Sequence, residues 1–173
     1  AGIKGAVIGM MIDPDLAAEA HDLGVGASFL AKFNRSEATR FSDPFEADAT
    51  VEALARGPCV GRRGLFASRR IDLGACARLR VGEIEVVVAS RRHQCADPVF
   101  LARTGIDLAK VRVLVIKSRG HFRDGNDELL TPGQIIEVDL PGLTTPVLDR
   151  LGLARVPRPI YPLDPDMAWQ PPG

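Results

Sequence analysis

Aromatic side chains are scarce in this chain: seven Phe, one Tyr and one Trp among 173 residues. Charge of either sign is not in excess, since 22 Lys and Arg balance 22 Asp and Glu. Without a positive field or a set of base-stacking rings, nucleic acid is excluded as the main partner. Cysteine is rare too, with Cys59, Cys76 and Cys95 odd in number and free of any Cys-x-x-Cys spacing. That excludes a disulfide framework and a structural zinc knot, and a reducing cytoplasm is expected. No apolar run approaches the roughly 20 residues of a membrane span, and the start lacks a signal-peptide layout, so no membrane partner is expected. An initiator Met is missing as well, and the chain opens on Ala1-Gly2-Ile3 as a piece cut from something longer would.

Chemistry-bearing motifs are equally sparse. His21, His93 and His121 are the only imidazoles, no His-Glu-x-x-His is present, and His93-x-Cys95 has no companions, so no metal ligand set is expected in this chain. Neither Ser90 nor Ser118 sits in a Gly-x-Ser-x-Gly elbow. Gly24-Val25-Gly26 follows a helix and opens a strand, the reverse of a dinucleotide-binding turn.

What is present is the pattern of a mixed α/β fold: one domain with a mixed sheet, flanking helices, an antiparallel hairpin and a Pro-rich C-terminal tail. Residues 1–154 are expected to form the domain and residues 155–173 an extended tail on the domain or a partner. The apolar run Ala6–Ile12 predicts a buried strand, Asp13 a helix cap with Pro14 in the first turn, and Gly24 the helix stop. A second strand follows over Ala27–Phe33, then a polar loop over Asn34–Glu46. Ala47–Ala55 predicts a strand with Thr50, Glu52 and Leu54 opposite Val51 and Ala53. Strands ending at Val81 and starting at Ile84 flank Gly82-Glu83 and predict a hairpin, with Arg78 and Arg80 paired to Glu83 and Glu85. Asp97-Pro98 opens a helix toward Thr104. Gly125–Gly133 reads as a loop, Gln134–Leu140 as a strand, and Val147–Leu151 as a short helix after a turn at 141–146.

The richest stretch is Val111–Arg123. Val111–Ile116, apolar but for Arg112, predicts a strand buried on both faces, and Lys117, Arg119, His121 and Arg123 follow at its end. Donors gathered past such a strand suit a carboxylate, phosphate or polarised carbonyl; the alternative is a solvated basic turn. The strand over Ile84–Ala89 also ends in a basic, His-bearing loop, and as neighbours the two would face one cleft. Asp124, Asp127 and Glu128 are placed to orient Arg123 or His121, and Phe122 to anchor the loop in the core.

Longer motifs carry a family likeness. Val115-Ile116-Lys117-Ser118-x-x-His121-Phe122-Arg123, Ser90-Arg91-Arg92-x-Gln94-x-x-Asp97-Pro98, residues 135–142 and Arg158–Asp164 resemble the C-terminal domain of the MlrC-type (microcystinase C) zinc metallopeptidases. The likeness covers nearly the whole chain. It departs at Lys32-Phe33-Asn34-Arg35, where the family carries a Gly-Gly-Lys turn, and at Asp124-Gly125-Asn126. The resemblance implies an accessory domain that helps build the cleft of a peptidase or amidohydrolase, inactive alone. Zinc would be held by an N-terminal domain of the same protein, which would also be its partner, with a peptide or amide as substrate. It implies Lys117, His121 and Arg123 as the first candidates for substrate or domain-interface contact, with Ser90, Arg91, Gln94 and Asp97 next. A surface left apolar where that domain docks would favour a homo-oligomer. The alternative from another class is a non-catalytic binding or assembly module for a small anion or partner; a weaker one is an independent metal-free hydrolase.

Overall fold

A computed structural model describes residues 3–35, 43–118, 120–140 and 147–168. The chain divides into two compact units, Ala1–Glu137 and Val138–Gly173.

The first unit is built on a mixed six-stranded sheet. Its strands are β1 (Ala6–Ile12), β2 (Ser28–Phe33), β3 (Phe45–Ala55), β6 (Cys76–Val81), β7 (Ile84–Ala89) and β8 (Val113–Ile116), in the order β2-β3-β6-β7-β1-β8. A separate two-stranded ladder joins β4 (Pro58–Val60) to β5 (Arg70–Asp72). The helices are α1 (Pro14–Leu23), α2 (Val99–Ala102) and α3 (Phe122–Asn126).

Most of this follows from local chemistry. Asp13 is buried, and its carboxylate accepts from the Leu16 N–H at 3.0 Å and the Asn34 N–H at 2.8 Å, so one side chain caps α1 and holds the end of β2. Leu16, Ala17 and Ala20 then pack with Phe33, Val51, Leu79 and Val88 in the main core. The β6–β7 hairpin has the expected two-residue connection, with Val81 opposite Ile84.

Several details differ from expectation. The register of β3 against β6 shifts between Val51 and Ala53. The extra residue resets the alternation, so Leu54 packs on the same core as Val51. Arg80 turns to Glu52 on β3 at 2.6 Å, while Glu85 receives Arg78 at 3.7 Å and Glu83 lies 3.9 Å from Lys4. The strand β8 is an edge, not a centre: only alternate residues are half-buried, and Val113 and Val115 are exposed. It pairs with β1 and not with β7, which lies on the far side of β1. Residues 135–140 have no ladder in spite of their alternating pattern, because a strand needs a paired edge. Ile136 is left 87% exposed, and Glu137 reaches Arg123. Residues 122–126, expected within or beside a loop, form α3. The expected turn at 141–146 lies outside the described residues.

In the second unit, a 3₁₀ turn occupies Leu148–Leu151 near the expected short helix, and Arg150 pairs with Asp139. Within the Pro-rich stretch Arg158 grips both carboxylate oxygens of Asp164, and Ile160 N–H donates to the same group at 2.7 Å, closing a turn. Arg158 pulls the Asp164 carboxyl below its ordinary range.

Candidate functional site

The strands β7, β1 and β8 are mutually parallel along this part of the sheet, so their C-terminal ends lie at one edge. The three connections leaving them are therefore neighbours, the position where α/β sheets place binding groups. The connection after β1 is occupied by Asp13 and its cap. The other two carry the residues singled out by sequence.

In the connection after β7, Ser90 and Arg91 hold the preceding turn. Ser90 Oγ accepts from the Ala75 N–H at 2.8 Å, and a Cβ on Gly74 would overlap that oxygen. The Arg91 guanidinium reaches Asp72 at 2.5 Å, and the Arg91 backbone N–H donates to Leu73 O at 3.1 Å. Gln94 is exposed, and its backbone carbonyl accepts from the Ala96 N–H at 2.8 Å. Asp97 is 1% exposed. Its Oδ2 accepts from the N–H groups of Arg62 at 2.6 Å and Arg63 at 2.9 Å, and its Oδ1 from Val99 at 2.9 Å. Backbone donors therefore satisfy the buried carboxylate, which ties the 61–63 loop to the start of α2.

The connection after β8 packs against the same knot. A Cβ on Gly125 would overlap the Ala96 carbonyl oxygen, and Gly125 and Asn126 are buried there. Asn126 Nδ2 donates to Phe122 O at 2.8 Å, bracing α3. Arg63 spans to Asp127 at 2.6 Å and to Glu128, and these carboxylates push its pKa upward. Asp127 and Glu128 thus serve Arg63 and not Arg123 or His121, because the Asp97 clamp brings Arg63 to them. Arg123 instead meets Glu137, and its guanidinium lies 5.1 Å from the centre of the Phe122 ring. Phe122 is half-buried under that cation, in place of the expected core anchor with cations on its far side.

The seven sequence candidates therefore sort by role. Ser90, Arg91 and Asp97 brace the loops. Lys117, His121, Arg123 and Gln94 are exposed, and among the described residues the side chains of Lys117 and His121 have no hydrogen bond or ion pair. The 61–63 loop was missed by sequence reasoning, since backbone N–H donors leave no signature in residue type.

Ligands for a metal do not converge. Among the described residues no group of three His, Cys, Asp or Glu is placed to hold an ion. His21 is occupied on both ring nitrogens, Nε2 with Cys76 O at 3.1 Å and Nδ1 accepting from Arg56 Nε at 3.1 Å. His93 packs edge-on against the Phe66–Phe100 ring pair. The three cysteines are free, and burial raises each thiol above its ordinary pKa, Cys95 to about 12. Among the described residues no helix is long and apolar enough to cross a membrane.

No curated protein matches the chain. A crystal structure at 2.13 Å of a candidate metallopeptidase from Mesorhizobium sp. BNC1 superimposes with a TM-score of 0.78 at 27% identity. The match covers 98% of this chain and 33% of that one, so this chain spans about a third of its relative's length. The family model described as MlrC C-terminus matches residues 1–155, and the chain belongs to that family.

Proposed function

We propose that this chain is the accessory part of a zinc-dependent peptidase or amidohydrolase, forming one wall of the substrate cleft beside a separate metal-bearing domain. The observation that carries this reading is the placement of Lys117, His121 and Arg123, exposed donors on a braced loop at the C-terminal edge of the parallel strands. Family membership and the relative's metallopeptidase description support the reaction class. In this reading the ion and its activated water belong to the other domain, and among the described residues of this chain no zinc ligand set gathers. Arg123 would bind a substrate carboxylate or carbonyl and His121 would donate to a developing oxyanion. Three free thiols, with Cys76 and Cys95 buried and Cys59 half-buried, are in keeping with work in the cytoplasm.

The test is peptide and amide hydrolysis by two zinc-supplemented proteins: this chain, and a longer family chain that contains it. Turnover in the longer chain alone is expected. Turnover by the 173-residue chain, or none in the longer chain while this one binds a small anion at Lys117 and His121, would overturn the reading, the second result in favour of a binding module.

A further inference from the structure

Parallel strands are ordinarily covered on both faces, because their crossover elements lie on each side of the sheet. One face of β1 and β8 meets this rule: Val7, Leu114 and Ile116 pack with Val87, Leu101 and Ile106. Register places Ala6 with Val113 and Ile8 with Val115 on the opposite face. There α1 packs over β2, β3, β6 and β7. It does not cover β8, where Val113 is 42% and Val115 50% exposed. The outer edge of β8 also has no neighbouring strand in the described sheet.

We infer that the uncovered β8 edge, centred on Val113 and Val115, is the surface on which the metallopeptidase part of a longer family chain docks. This rests on the accessory-domain reading above and adds its location. Two observations select the occupant. Two-thirds of the Mesorhizobium relative lies outside the matched region, so a longer family chain has sequence from which a covering segment can come. Exposed Arg112 and Lys117 flank β8, so antiparallel pairing with a second copy would set Arg112 of one against Lys117 of the other, a like-charge contact that opposes self-pairing. The fitting partner is an extended or helical segment with an apolar centre and acidic flanks.

Hydrogen exchange on this chain and on a longer family chain containing it tests the assignment. Amides of residues 112–117 that point away from β1 are expected to exchange at least about tenfold more slowly in the longer chain. Val115→Lys should abolish that difference while leaving the melting temperature of the 173-residue chain unchanged, because the side chain is already exposed. Equal exchange in the two unmodified proteins overturns the proposal, as does protection in this chain alone that grows with concentration, which would mark a second copy. Protection in a longer chain that hydrolyses nothing would keep the docking surface and remove the peptidase reading. Zinc-dependent hydrolysis with β8 unprotected would do the reverse.

Discussion

The carbonyl oxygen of Ala96 fills the space that a Cβ on residue 125 would need. This contact seats α3 against the loop after β7, so the exposed pair His121 and Arg123 takes its position from a glycine that bears no functional group.

Gly125→Ala should therefore unseat α3. Backbone cannot rotate away as a side chain does, so a loss on the order of 1–3 kcal/mol is expected, as for other overpacked sites. Urea unfolding would measure it, and proteolysis within residues 120–130 should speed up with it. Unchanged stability and unchanged cleavage would show that the approach is not tight.

Asp97 is predicted to matter through its two oxygens separately. Asp97→Ala leaves the N–H groups of Arg62, Arg63 and Val99 without their acceptor, each costing about 1–3 kcal/mol if it stays buried. Asp97→Asn retains one acceptor oxygen, which can serve the Arg62 and Arg63 pair, so its loss should be the smaller. Thermal denaturation of the two variants gives the order, and an Asn variant as damaged as the Ala variant would refute it.

These two residues show how far the sequence was legible. Asp13-Pro14 and Gly82-Glu83 act through their own backbone, so β1, α1 and the hairpin were readable from residue type and spacing. Asp97 was read as the cap of a helix, but Pro98 holds that position; Asp97 accepts from the Val99 N–H just beyond it, and its larger role depends on two N–H groups some 35 residues upstream. Residue type says nothing of those donors. The segment Val111–Ile116 read as a strand buried on both faces because hydrophobicity alone does not show which strand ends at the edge of a sheet. Residues 135–140 failed for the complementary reason: they alternate like a strand but find no edge. At the site, the motif holding Lys117, His121 and Arg123 was legible, whereas the division between bracing and exposed residues needed coordinates.

Arg123→Ala is expected to separate function from folding. Its pairing with Glu137 is exposed, the arginine side chain being 42% and the glutamate 76% accessible, and such pairs contribute about 0–1 kcal/mol. Stability should barely change. In a longer family chain that hydrolyses peptides, the same variant should lower kcat/KM by about tenfold or more if the guanidinium binds substrate. Wild-type kinetics, or a large loss of stability, would make Arg123 a structural residue.

Alkaline pH should act on the fold through Cys95. Burial pushes its thiol from 9.0 up to about 12, against a weaker opposing pull from a backbone hydrogen bond at Met10. Between those values the unfolded chain loses this proton while the folded chain keeps it. The unfolded state then binds fewer protons, and by linkage stability falls as pH rises. The contribution is fully present below about pH 9 and drains away toward pH 12, on the order of 4 kcal/mol at 1.36 kcal/mol per pKa unit. Cys59 and Cys76 are raised as well and add in the same direction. The informative quantity is the difference from Cys95→Ala. That variant should be less stable at pH 7 for want of buried volume, yet its unfolding free energy should decline less steeply above pH 9. Urea unfolding from pH 7 to 11 would show the two curves converging, and parallel curves would mean that the Cys95 thiolate is tolerated in the folded chain.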